Sequence, residues 1–204
     1  MRRSSPSAQR NRDPILQVLR RHGPRDGLVL EIASGTGEHA TYFAEHLGLD
    51  VVFQPSDPNL EARTSCAAWV AAANLPNLRM PVEIDVSTQD WWQVHAGSVP
   101  PLAAILCINM IHIAPWSAAE GLMRGAGHLL PPGGLLILYG PYRRNGMHTA
   151  PSNEAFDWDL RARNPDWGVR DLETVTELAE ANGLSLQHIE PMPANNFTVI
   201  FRRR

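Results

Sequence analysis

The stretch that most constrains this chain is GLVLEIASGTGEHATYFAEHL, residues 27–47. Its first seven residues, rich in Leu, Val and Ile, read as a buried strand. Ser34-Gly35-Thr36-Gly37 then breaks the pattern, and from Glu38 to Leu47 apolar residues recur at helical spacing. A strand that turns through two glycines into a helix is the opening unit of a doubly wound α/β fold. The glycines permit a tight turn and let a ligand approach the backbone closely.

The remainder continues the alternation. Strands are expected at 50–53, 78–84, 102–108, 135–139, 184–190 and 197–202. Pro81 marks the 78–84 strand as an edge. Helices are expected from an Asn59 cap to Ala73, from a Ser117 cap to Leu130, and over 170–182, where Gly183 stops the last. Asp13 before Pro14 is read as the cap of an N-terminal amphipathic helix. The last two strands are too close in sequence for a crossover helix, so they pair antiparallel. The expectation is an α/β, doubly wound, seven-stranded Rossmann-like sheet, mostly parallel, with one antiparallel strand near the C-terminus. Residues 1–204 read as a single domain. Residues 1–26 form an N-terminal segment covering the site, and 140–169 a long substrate loop. Ligands in such sheets bind beyond the carboxyl ends of the strands.

Composition narrows the function. A formal net charge of -3 lacks the basic surplus of a broad nucleic-acid footprint. Cys66 and Cys107 lie in apolar patterns and read as buried thiols, so no disulfide framework or metal site is expected. No run reaches the ~18 apolar residues of a membrane span, and no apolar run follows the basic start. A cytoplasmic monomer or homodimer with no membrane partner is the expectation.

Gly35-Thr-Gly37-Glu-His-Ala40 fits the dinucleotide pattern G-x-G-x-x-A, and Asp57 lies about twenty residues on, where a ribose-binding acid belongs. The surrounding charge argues against NAD. Glu31, Glu38 and Asp85 would face a pyrophosphate with no basic residue to offset them. A cationic ligand with a sulfonium, an amino group and a ribose diol suits these carboxylates, which points to S-adenosyl-L-methionine, with S-adenosyl-L-homocysteine as product.

The segment E31-I-A-S-G-T-G37 resembles motif I of class I methyltransferases, with Ala33 where many have the first glycine. That resemblance implies that Glu31 and Gly35 line the methionine side, with Ala33 and Gly37 as further cofactor-binding positions of the loop. It places Asp57 on the ribose, Asp85 and the Val86 backbone at the adenine, and Asn109 beside the sulfonium. RNRDPIL (10–16), EIASGTGEHA (31–40), QPSDP (54–58), CINMIHIAPW (107–116), LLPPGGLLILYGPYRRNGMHTAPSN (129–153), WGVRDLE (167–173) and MPANN (192–196) further resemble the methyltransferase-like 26 family, over roughly residues 10–203. This implies the fold and the cofactor, and no particular substrate.

Methyl transfer from a sulfonium is an in-line displacement with a neutral leaving group, so orientation and exclusion of water carry much of the work. His112, three residues past Asn109, is the candidate base, and Tyr142 is a second catalytic candidate. A small, anionic acceptor is expected from the cationic and aromatic residues of the long loop. Its candidate contacts are Arg10, Asn11, Arg12, Tyr139, Tyr142, Arg143, Asn153, Asn195 and Asn196. The alternatives are a non-catalytic S-adenosylmethionine-binding regulator and a protein or nucleic-acid methyltransferase. Asn109-Met-Ile-His112 departs from the Asp/Asn-Pro-Pro-aromatic tetrad usual in amino-methylating nucleic-acid enzymes.

Overall fold

A computed structural model describes residues 1–95 and 100–204. Its spine is a six-stranded sheet in the order β2-β1-β3-β4-β9-β8, with a separate three-stranded sheet β6-β5-β7 at one end. The strands of the spine are β1 (Gly27–Ile32), β2 (Val51–Pro55), β3 (Leu102–Ile108), β4 (Leu135–Gly140), β8 (Leu184–Met192) and β9 (Asn196–Arg203). The small sheet holds β5 (Tyr142–Arg144), β6 (Met147–His148) and β7 (Arg170–Asp171). In the spine, β1 pairs parallel with β2 and β3, and β3 with β4. β9 runs antiparallel to both β4 and β8, so it is the one reversed strand.

Both faces of the sheet are covered, and side chains alternate between two cores. Leu28, Leu30, Ile105, Leu136, Val199 and Phe201 face α4 (Trp116–Leu129) and α6 (Leu172–Ala181). Val29, Ala104, Leu106, Ile137 and Ile200 face α1 (Pro6–His22), α2 (Glu38–His46) and α3 (Leu60–Ala73). Glu31 follows Val29 on the same face, so a carboxylate lies under the helical layer.

Four expectations are corrected. The 78–84 segment makes only two isolated parallel bridges, Phe53↔Leu78 and Ser56↔Val82, so the sheet has six strands rather than seven. Pro55 and Pro81 have no N–H, and the ladder breaks between them. The 140–169 segment is no open loop. It holds the β5–β6 hairpin and the helix α5 (Pro151–Arg163). The first helix starts more than two turns earlier than Asp13. Ser5 caps it by accepting from Ala8 N, and Pro14 is interior. Pro115, not Ser117, precedes α4, and Asp171 caps α6 by accepting from Glu173 N. The Asn59 cap of α3 stands, with Ala62 N donating to Asn59 Oδ1 at 3.0 Å. Among the described residues, no helix is long and apolar enough to cross a membrane.

Candidate active site at the carboxyl ends of the strands

The glycine loop leaves β1 through Ala33 (φ 56°), Gly35 (φ 56°) and Gly37 (φ 91°), all in the left-handed region. Ala33 takes that conformation despite its Cβ, at a cost of about 1 kcal/mol. Two glycines serve different needs. A Cβ on Gly37 would lie 2.6 Å from the Cys66 Cα, so the loop can seat against α3 only with glycine there. A Cβ on Gly35 would meet nothing within 4 Å, because this backbone faces open space. Gly37→Ala is therefore expected to cost about 2 kcal/mol or more in a denaturant titration, while Gly35→Ala spares packing and perturbs only the turn.

Carboxylates surround this loop. Asp57, buried at the end of β2, accepts from Gly35 N at 3.0 Å and from Asn59 N at 2.9 Å. Glu31 is 1% exposed, and its Oε2 has no partner among the described residues. Burial first, and then the nearby Asp57 charge, push its carboxyl up to about 8. Glu38 accepts from Ser5 N and from Thr36 Oγ1, tying the entry of α1 to the loop. The N-terminal residues are laced down further. Arg3 N donates to Ser65 Oγ at 2.9 Å, and Trp69 Nε1 donates to the Arg3 carbonyl at 2.9 Å.

Asp85 is exposed, and its Oδ1 accepts from Ser87 N at 2.9 Å and Ser87 Oγ at 2.6 Å. Val86 is buried, and its carbonyl packs so closely on Gly121 of α4 that a side chain there would collide.

Beyond β3 the chain turns sharply. Asn109 takes φ 58° and donates from its backbone N to the Tyr139 carbonyl at 2.8 Å. His112 folds back over the end of β4: a Cβ on Gly140 would lie 3.2 Å from its ring and 3.6 Å from Asn109 Oδ1. His112 is 3% exposed, meets Phe156 edge-on at 5.7 Å, and its Nδ1 has no partner among the described residues. Burial lowers its pKa to about 4, with the Arg170 charge adding to the effect. The ring is therefore neutral across the physiological range. Gly140→Ala is expected to displace it with little loss of stability, read as a shift of the His112 ring signals in NMR.

The candidate acceptor residues divide. Asn11 reaches this end from α1: its Oδ1 is 2.7 Å from His39 Nε2, and its side chain lies near the Tyr139 hydroxyl. Asn196 Nδ2 donates to Tyr139 Oη at 3.2 Å. Asn153 Nδ2 donates to the Asn195 carbonyl at 2.9 Å, pinning α5 to the turn between β8 and β9, where Asn195 takes φ 60°. These residues form one connected group. Arg10 is exposed, and Arg12 stacks over Tyr42 at 4.5 Å. Tyr142 is wholly inside the core against α4 and α6, its hydroxyl without a partner among the described residues and its pKa raised by burial. Arg143, beside it on β5, keeps a buried Nε with no partner among the described residues.

Three positioning residues escaped the sequence reading. Arg170 donates from Nε to the Ile111 carbonyl at 3.0 Å and from Nη2 to the Ala114 carbonyl at 2.7 Å, clamping the loop that carries His112. Gly168 N donates to the His112 carbonyl at 3.0 Å. Buried Asp157 accepts from Val169 N at 2.6 Å and Arg161 Nε at 3.1 Å, fixing that clamp to α5. WGVR at 167–170 is the only local signal, and a backbone clamp has no spacing of its own. A depression of about 440 Å³ lined by Pro24, Arg25, Asp26, Gly133 and Arg202 lies at the opposite, amino end of the strands and contains none of these residues.

The reversed β9 in a parallel sheet, with the glycine loop after β1, is a fold shared with solved methyltransferase structures. One is an O-methyltransferase family protein from Burkholderia thailandensis, with TM-score 0.79 and 16% identity, covering 97% of this chain and 57% of that one. Another, from Planctomyces limnophilus, is an O-methyltransferase family 2 protein in complex with apigenin, with TM-score 0.77 and 15% identity over 97% of this chain and 60% of that one. Human N-acetylserotonin methyltransferase in complex with SAM has TM-score 0.72 and 13% identity over 97% and 52%. The chain spans little more than half the length of these proteins. By sequence it belongs to the family described as "Protein of unknown function (DUF938)", whose model matches residues 2–203.

Proposed function

We propose that this chain transfers the methyl group of S-adenosylmethionine to a small acceptor that arrives as an anion. The observation that carries the reading is Glu31, a buried carboxyl whose Oε2 has no partner among the described residues, on the strand that leads into the open backbone of Gly35. A buried carboxyl without a partner is costly, and a cationic ligand would satisfy it. The residues fit the cofactor. Glu31 and the backbone at Ala33, Gly35 and Gly37 would hold its methionine end. Asp57 keeps lone pairs for a ribose diol after accepting two backbone N–H groups. Asp85 and Val86 would border the adenine, and Asn109 the sulfur. The resemblance to the methyltransferase-like 26 family points the same way.

When bound, the cofactor supplies an electrophilic methyl carbon whose sulfur leaves as a neutral thioether. The acceptor gains a bond to carbon as the sulfur–carbon bond breaks, so an ionised acceptor needs no base. This suits His112. A ring with a pKa near 4 takes protons poorly from a weak acid. Its unpartnered Nδ1 would instead hold and orient the acceptor. Tyr139, aligned by Asn11 and Asn196, would form the opposite polar wall. The unpartnered Nε of Arg143, with that of Arg12, supports recognition of a carboxylate.

The test is release of S-adenosylhomocysteine during incubation with panels of carboxylated and neutral small molecules. Turnover confined to the anionic panel is expected. His112→Ala should slow that turnover about 10–100-fold while leaving cofactor affinity within a factor of two. Turnover on neutral acceptors alone, or loss of cofactor binding in the variant, would contradict the assignment.

A further inference from the structure

Away from the cleft, the last turn of α1 and the edge strand β8 bring together three side chains that methyl transfer does not use. His22, His188 and Glu190 each offer one ligand atom, and these atoms all lie within 4.8 Å of one another. The two imidazoles stack with centroids 4.4 Å apart, and His188 Nε2 lies 2.8 Å from Glu190 Oε2. We propose that His22, His188 and Glu190 form a binding site for a divalent first-row transition ion, zinc in type, that staples the C-terminal end of α1 to β8.

The backbone builds this cluster through a bulge. Leu186 pairs with Phe201, and both pack on the α4–α6 core. His188 pairs with Ile200, which packs on the α1 core, because the register shifts between Leu186 and His188. A regular strand would put Leu186 and His188 on one face. The bulge instead sends His188, and two residues on Glu190, towards α1. Met192 continues that face and is buried in the α1 core.

The chemistry of the set fits a transition ion. Two imidazole nitrogens and one carboxylate oxygen are the ligands zinc takes when it keeps a further position for water. Glu190 is already oriented for it. Arg21 Nη2 donates to Oε1 at 2.7 Å, which holds the carboxylate and leaves Oε2 on the histidine side. A hydrogen bond to a ligating carboxylate is the usual support for such a site. The negative end of the α1 dipole adds a modest attraction for a cation. His22 is exposed, so an ion can enter from solvent.

The experiment uses the full chain, stripped with chelator, titrated with Zn2+ by calorimetry and with Co2+ by visible absorption. One ion per chain is expected, with micromolar affinity, and a rise of a few degrees in Tm at saturating zinc. His22→Ala and His188→Asn should each weaken binding at least 10-fold and remove the Tm shift. Glu190→Gln should weaken it while keeping an oxygen for Arg21. His46→Ala, at a histidine on α2, should leave binding unchanged. No binding, or zinc binding equal in wild type and the His22 and His188 variants, would overturn the proposal. The site shares no residue with the cofactor cleft, so titration with S-adenosylhomocysteine reads the two claims separately.

Discussion

Asp57→Ala is expected to weaken S-adenosylhomocysteine binding about 10- to 100-fold, equivalent to ~1.5–3 kcal/mol. Two effects add. The carboxylate would lose its bonds to the ribose diol, which are charge-assisted and worth roughly twice neutral ones. It would also release Gly35 N and Asn59 N, the two backbone groups it now holds. Those bonds keep the glycine loop of β1 in register with the loop after β2, so the variant should also lose a few degrees in Tm. Calorimetry and thermal unfolding on the same sample check both effects. Unchanged affinity would remove Asp57 from the ribose site and leave it only its loop-holding role.

The second large effect is on pH. In the ligand-free protein, burial and the Asp57 charge raise Glu31 to about 8. Below that pH the carboxyl is mostly protonated, and binding a cation must expel the proton. Affinity for S-adenosylmethionine is therefore expected to climb about 50-fold between pH 6 and 8 and to level off above pH 9. Stability runs the other way. A carboxyl raised in the folded state contributes stability that is fully present below its unfolded value near 4.5 and is lost as pH rises through 8. Glu31→Gln should flatten both profiles and lower affinity at pH 8.5 by at least 10-fold. Calorimetry in two buffers of different ionisation enthalpy measures the proton directly. Binding with no proton release at pH 7 would rule out Glu31 as the cation's partner.

Much of this was legible in the chain. The strand–glycine–helix unit could be read because each local signal agreed with the fold: a Leu/Val/Ile run, a breaker, then helical spacing. The reversed strand followed from a connection too short for a crossover. The missed features are those whose cause is tertiary. Pro81 signalled an edge, but not that Pro55 on the neighbouring strand would interrupt the same ladder. The helix over Pro151–Arg163 has a weak apolar stripe, with Trp158 outward, and is fixed largely by Asp157 and Asn153 bonding to distant backbone. Ser5 displaced Asp13 as the cap because Pro14 is tolerated inside α1. At the site, the residue types were visible, but their environments were not. His112 reads as a near-neutral base by type, and only its burial, with the Arg170 charge nearby, makes it a low-pKa, neutral ring.

The central claim is that the glycine loop and its carboxylates bind S-adenosylmethionine and not a dinucleotide. Isothermal titration of the purified chain with S-adenosylhomocysteine, with NAD as control, tests it most directly. The account predicts one site per chain with micromolar affinity for the first and no heat of binding for the second. Binding of NAD, or of neither ligand, would contradict it.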